Sequence, residues 1–362
     1  MAILSKLWFE IQANLFPFMR EHLGSLSQRE QKLVAILELV RIEEFVPDPW
    51  WNRGRKQSPR WKLARAFVAK VVYNESETSR FIDRLRKDGN LQQICGWQSA
   101  HEIPSESTFC RSFAEFMQTE LPQRVHAALI EKYEKPRLVG HISRDATDIP
   151  ARERPAKKVK PKQKPKSKRG RPRSGEVRQK KQPTRLERQL KMPLPQMLSD
   201  LPCLCDRGCK KKGGRKYYWI GYKLHVDWAD GEIPVSCLLT AASLHDSQTA
   251  IPLETITASR VVSFYSLMDA AYDAWPIRAH SLSLGHVPII DPNPRGDSDR
   301  WPLEPAQKQR LRERSTAERG FSLLKECFGG ANIRVRGPDK VHAHLMFSIL
   351  ALTADRLLNL VL

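Results

Sequence analysis

The sequence predicts a mixed α/β domain preceded by an all-helical one. Three observations carry this. Up to about residue 135 the apolar residues recur at helical spacing. From about residue 136 to 362, strand-like runs alternate with helical ones. A lysine- and proline-rich stretch, 151–192, interrupts that second region. At 362 residues the chain is long enough for two or three cores.

The elements follow in order. SQREQKLVAILELV opens with Ser27 and Glu30 at capping-box spacing, and Leu33, Ile36, Leu37 and Val40 then form a helical stripe. TSRFIDRLRKD predicts a second helix, ended by Gly89 and Asn90. SESTFCRSFAEFM predicts a third, with Phe109, Phe113, Phe116 and Met117 on one face. Short helices bearing arginines suit a helix-turn-helix reader of DNA, and a plain helical packing domain has the same pattern. Trp50, Trp51 and Trp61 fit packing better than base stacking.

RLVGHISRDAT reads as a strand. KYYWIGYKLHVDWADGEIPVSCLLTAAS reads as a hairpin turning at Ala229-Asp230-Gly231. SQTAIPLETITAS has helical character, VVSFYSLMDA and HVPIID are strand-like, and QKQRLRERSTAERGFSLLKECF is helical. The last stretch, HAHLMFSILALTADRLLNLVL, is apolar, but Asp355 and Arg356 interrupt it. That predicts a buried closing helix rather than a membrane span.

Charge is the strongest compositional signal. The chain has 61 Lys+Arg against 40 Asp+Glu, a net +21. Residues 151–192 hold 18 of those cations and three glutamates, so most of the excess sits in one segment. Such a run calls for a polyanion, and nucleic acid is the natural one. PKQKPKSKRGRPRSGEVRQKK is too polar and too rich in Pro and Lys to offset the entropy of ordering, so a disordered insertion is expected. Within it Arg169, Gly170, Arg171 and Pro172 match an AT-hook core, in which a narrow Arg-Gly-Arg backbone enters an A·T-rich minor groove. Phosphate binding without sequence preference, or a longer surface loop, are the plainer readings.

Seven cysteines, thinly spread, do not make a disulfide framework. Lys6 and Glu10 break the first apolar run, so no signal peptide is expected. The expected setting is the reducing cytoplasm, with no membrane contact. Cys203, Cys205 and Cys209 cluster, yet structural Zn2+ wants four ligands, and only the distant Cys237 offers a fourth. An ordinary reduced loop is the favoured reading.

Three acids stand out: Asp145 near a strand end, Asp269 closing a second strand, and Glu318 on a helix. Arg314, Glu318, Phe321 and Lys325, spaced four, three and four apart, share one helical face. A carboxylate between two cations suits a metal beside a phosphodiester, although surface ion pairing gives the same spacing. Asp145 and Asp148, three apart on a strand, point to opposite faces, so at most one can serve a single site.

From about residue 136 onward these motifs resemble the DDE transposases of bacterial insertion sequences, of the IS4/IS5-like group. GNLQQICGW and IPSESTFCRSFAEF resemble the helical domain that precedes the catalytic one in such proteins. Asp145-Ala146-Thr147 stands at the first catalytic aspartate, and MDAAYD resembles the second motif, with Asp269 as its acid. His245 and Asp246 match the pair after the family's hairpin; they suit bracing the site, contacting DNA, or a structural cap. The family signature of Tyr, Arg, Glu and Lys falls on Leu311, Arg314, Glu318 and Lys325, so the tyrosine is absent here.

The resemblance implies an RNase H-like mixed sheet and catalytic, metal-holding roles for Asp145, Asp269 and Glu318. It implies phosphate contacts from Arg314 and Lys325, and two Mg2+ or Mn2+ ions per site, with Asp148 left as a surface or salt-bridge residue. It further implies double-stranded DNA partners, namely transposon terminal repeats and target DNA, and a homodimer or larger assembly pairing two ends. A non-catalytic DNA-binding regulator and a nuclease that cuts without joining remain open beside it.

Overall fold

A computed structural model describes residues 26–47, 57–156, 182–293 and 302–361. The capping box forms: Ser27 Oγ accepts the Glu30 N–H, and Glu30 accepts the Ser27 N–H, opening helix α1 (Gln28–Val40). Helices α2 (Arg60–Val72) and α3 (Thr78–Lys87) follow. Gly89 and Asn90 do not lie in a terminating loop. Helix α3 ends at Lys87, as expected, but Asp88 accepts the Leu91 N–H at 3.0 Å and caps α4 (Gly89–Cys95), so Gly89 and Asn90 open a new helix. Helices α5 (Glu106–Gln118) and α6 (Leu121–Tyr133) complete the helical region, with Phe109, Phe113 and Phe116 buried and Met117 half-buried against the same core. Trp61 packs its ring on Gly96, while Trp50 and Trp51 lie outside the described residues.

The second region is built on one six-stranded sheet. Strand β1 (Leu138–Pro150) pairs antiparallel with β3 (Arg215–Ala229) and parallel with β5 (Val262–Met268), which pairs parallel with β6 (Val287–Ile290). Both β2 (Asp206–Lys212) and β4 (Ile233–Ala241) pair antiparallel with β3. The expected hairpin turns at Gly231, whose φ of 84° requires a left-handed residue. Helices α7 (Arg185–Gln189), α8 (Leu194–Ser199), α9 (Ala250–Arg260) and α10 (Trp275–Ser283) connect the strands.

Residues 182–192, read in the sequence with the basic insertion, fold. Thr184 and Glu187 make a second capping box, and Leu186 is buried with Met197, Met268 and Tyr272. Residues 157–181, including the Arg169–Pro172 motif, lie outside the described residues.

The helix expected over 307–328 is two helices. A 3-10 turn at Arg312–Arg314 separates α11 (Pro305–Leu311) from α12 (Ser315–Cys327). Helix α12 lies against β3 at Gly320, where a Cβ would come within 2.5 Å of the buried Trp228 ring. Phe321 then meets Trp228 edge-on at 5.2 Å. Only glycine lets the helix come this close, and that contact sets how α12 presents Glu318.

The closing helix α13 (Pro338–Val361) is long and apolar enough to cross a membrane, but 83% of its most apolar stretch is buried inside the fold. It is the centre of the largest core. Phe67 of α2 meets Phe347 of α13 at 5.5 Å, and the same cluster runs on to Tyr222, Val226 and Trp228 of β3. The N-terminal helices and the sheet therefore share one apolar interior.

Candidate active site

The parallel pairing of β1 with β5 assembles the site. Ser143 pairs with Leu267, and the same register two residues on brings Asp145 level with Asp269, on the same sheet face. Asp145 accepts its neighbour Ala146's N–H at 2.8 Å. Asp269 ends the strand and caps the turn after it, accepting the Ala271 N–H at 2.9 Å. His245 likewise caps the turn Asp246–Thr249, and Asp246 takes the Lys223 ammonium at 2.9 Å. His245 is thus a cap, while Asp246 adds its charge to the cluster.

Charge is crowded here. Burial, with the fields of Asp269 and Asp246, pushes the Asp145 carboxyl up to about 6 against the pull of the Ala146 N–H and Arg314. Burial and Asp246 likewise raise Asp269. The wholly buried Tyr272 phenol is driven well above its ordinary value by burial and then by the same acids.

Arg314 sits among these groups, 3.6 Å from Asp145 Oδ2 and 3.4 Å from Glu318 Oε1. The structure therefore brings Asp145 and Asp269 together and links Glu318 to Asp145 through a guanidinium. Glu318 is 66% exposed. Among the described residues no three His, Cys, Asp or Glu side chains stand close enough to hold one metal ion. Oxygen donors crowded against their own repulsion suit a hard divalent cation. Asp145 and Asp269 meet that requirement; Glu318, held by Arg314, stands apart from them in this arrangement.

Asp148 has other partners. Lys210 of β2 pairs with it, and Lys325 lies 3.5 Å away, so these cations hold its carboxyl below the ordinary range despite burial. Lys325, on α12, thus lies over the next acid of β1, while Arg314 reaches Asp145 from the turn just before that helix. Leu311, in the place of the family tyrosine, lines an open groove of about 550 Å3 beside Asp269. Lys308, Arg312 and Arg314 give that groove a cationic wall.

Two features were missed in the sequence. The first is a buried ionic network behind Asp145. Arg144, 1% exposed, donates to both Asp227 oxygens at 2.8 and 2.7 Å and lies 3.6 Å from Glu254. Thr257 donates to Asp227, and Ser266 and Ser281 to Glu254. Burial would raise Glu254, but Arg144 and the bonds from His286, Ser266 and Ser281 outweigh it and hold the acid at about 2. The available signal was an arginine one residue before Asp145, on the strand face it shares with Ile142 and Ala146. The second is β2, which takes Cys209 into a strand where a loop was expected. Cys205 is buried in the core and Cys203 donates to the Leu239 carbonyl at 3.6 Å.

Residues 19–115 match the family Transposase domain (DUF772), and residues 204–354 match the family Transposase DDE domain. Asp269, Arg314, Glu318 and Lys325 fall within the second range; Asp145 precedes it. No curated protein and no solved structure shows significant similarity to the chain. The chain is thus similar to two transposase domains in tandem, the second of the DDE type.

Proposed function

We propose that the protein is a transposase that binds the ends of an insertion sequence of the IS4/IS5-like group and carries out metal-dependent strand cleavage and strand transfer. The observation that carries this reading is the level placement of Asp145, within β1, and Asp269, just past the end of the parallel β5, with Arg314 beside Asp145. The sheet supports an RNase H-like core: three parallel strands, β1, β5 and β6, follow an antiparallel β4–β3 hairpin in space.

Asp145, Asp269 and Glu318 would hold Mg2+ or Mn2+, two per site. Bound there, the cations supply Lewis-acid activation of the attacking water or DNA 3′-hydroxyl and stabilise the leaving oxygen. The chain's own residues do the rest. Asp145 and Asp269 fix the position of charge on the two neighbouring strands. Arg314 exchanges its carboxylate partners for phosphate oxygens, which a planar guanidinium binds in a fork, and so frees Glu318 to turn inward. Lys325, on α12, takes a second phosphate. The exposed Arg80, Arg84, Arg86 and Lys87 on α3 suit the helical region to reading the element ends. Residues 157–181, with the AT-hook-like Arg169–Pro172, add salt-sensitive affinity. The protein works as a dimer or larger assembly on DNA in the cytoplasm.

The hold of Arg314 on Glu318 favours a second reading, a chain that binds DNA without cutting it. One experiment separates the two. A fragment bearing the element ends is incubated with the protein and Mg2+, and nicking and joining are scored for wild type, Asp145→Asn, Asp269→Asn and Glu318→Gln. Wild-type joining, lost in all three variants with end binding kept, is the expected result. Binding alone in wild type favours the second reading, nicking without joining a nuclease, and cleavage by any variant removes that residue from the site.

A further inference from the structure

The two-stranded ribbon made by β2 and the first half of β3 has no part in the site above. Residues 206–221 hold six Lys or Arg and one Asp, a net +5 within sixteen residues. The ribbon leaves the sheet at Gly221. There φ is +152°, and a Cβ would lie 2.1 Å from the Ile149 carbonyl oxygen, so only glycine fits. Beyond that point Arg215–Trp219 pair with β2 alone.

Alternation gives the ribbon two unlike faces. On the inner one, Trp219 is buried and Tyr217 stacks on it at 6.2 Å, with the Lys210 ammonium 5.4 Å from the Tyr217 ring. Lys210 also binds Asp148, which braces the ribbon on β1 beside Lys325. On the outer face stand Arg207, Cys209, Lys216 and Tyr218, all exposed, Tyr218 by 55%. A projection whose only purpose was solubility would not need a buried tryptophan behind it or a tyrosine laid open among its cations. The root lies where the lysine-rich stretch begins, since the Ala156 N–H donates to Cys205's carbonyl at 2.7 Å.

We propose that this ribbon is a duplex-binding arm, whose outer face grips the phosphates bordering a groove of the DNA that enters the site. A two-stranded ribbon fits the major groove, about 12 Å wide, and seven residues per strand extend roughly 23 Å along it. The arm rests on the reading of the protein as a DNA enzyme but is separate from its catalytic residues.

Its position allows a local test. The full chain is alkylated with iodoacetamide, with and without a saturating linear duplex of mixed sequence, and each cysteine is read by peptide mass mapping. Cys209 is expected to lose its labelling when duplex is present, while the exposed Cys110 and Cys327 report on the rest of the surface. In parallel, Arg207→Ala/Lys216→Ala, both exposed outer-face positions checked by an unchanged melting temperature, should lower the slope of log affinity against log salt by about 2. Lys216→Glu alone should lower it in the same direction. Duplex binding with Cys209 still fully reactive and the slope unchanged overturns the arm and leaves the proposed function standing. Absence of any duplex binding by wild type overturns both.

Discussion

Replacing Arg144 by methionine isolates the ionic network that supports the candidate site. Methionine keeps the length and flexibility of the side chain and removes its charge. The change deletes two charge-assisted hydrogen bonds to Asp227 and the ion pair with Glu254, leaving two acids in a region where Arg144 and Asp227 are 1% and 0% exposed. Orphaning a buried charge in this way costs about 3–5 kcal/mol. At about 2–4 °C per kcal/mol for a chain of this order of size, the melting temperature should fall by roughly 6–20 °C. Thermal unfolding followed by circular dichroism measures it. The same variant should lose cleavage more steeply than end binding, because Arg144 fixes the stretch of β1 that carries Asp145. Adding Asp227→Asn and Glu254→Gln to the variant should recover part of the loss, since no buried charge then remains unpaired. A melting temperature for Arg144→Met within about 2 °C of wild type would refute the argument, because it would mean that the network contributes less than about 1 kcal/mol.

Two further outcomes follow from the packing and the buried histidines. Gly320→Ala gains about 1 kcal/mol of helix preference but forces a Cβ to within 2.5 Å of the buried Trp228 ring, an overpacking cost of up to about 3 kcal/mol. A net loss of about 2 kcal/mol in urea unfolding is expected, with a shift in tryptophan emission; a stabilised variant contradicts the contact. Burial holds His126 at about 3 and His225 and His344 at about 4, all neutral in the fold, so the unfolded chain takes up their protons first. Their contribution is complete above about pH 6.5 and is lost as pH falls toward 4, on the order of 2–3 kcal/mol each. Asp145 runs the other way: its raised carboxyl adds stability in acid that is lost as pH rises through about 6. His344→Gln should therefore show a shallower decline between pH 6.5 and 4 than wild type, and parallel curves would remove that histidine from the balance.

Periodicity made most of the elements legible. The stripe at Leu33, Ile36, Leu37 and Val40, the phenylalanines of α5 and the apolar closing helix all reported burial directly, and the structure buries them. Punctuation was less reliable. Helix α3 did stop at Lys87, before Gly89, but Asp88 then capped a new helix that Gly89 opens. The break at Arg312–Arg314 left no glycine or proline to betray it. Strand β2 was passed over because a lysine run is a poor strand former; its strand character comes from cross-strand partners that local propensity does not encode. The Gly-Gly pair at 213–214 was the overlooked turn signal.

At the site, alternation could say only that Asp145 and Asp148 part company, and the structure gives Asp148 to Lys210 and Lys325. The level placement of Asp145 and Asp269 depends on strand register, which spacing along one chain cannot supply. Arg144 was invisible for a related reason. A buried arginine reads as a surface one until its acids, from 83 and about 110 residues away, are in view.

The central place of α13 bears on how the protein comes into being. Synthesis delivers α1 to α6 about 200 residues before α13, whose surface they must cover. Those helices therefore wait, greasy side outward, until α13 has been made. A gene copy interrupted before residue 338 should yield a fragment that proteases clear, rather than a free-standing binder able to occupy element ends and silence its intact relatives.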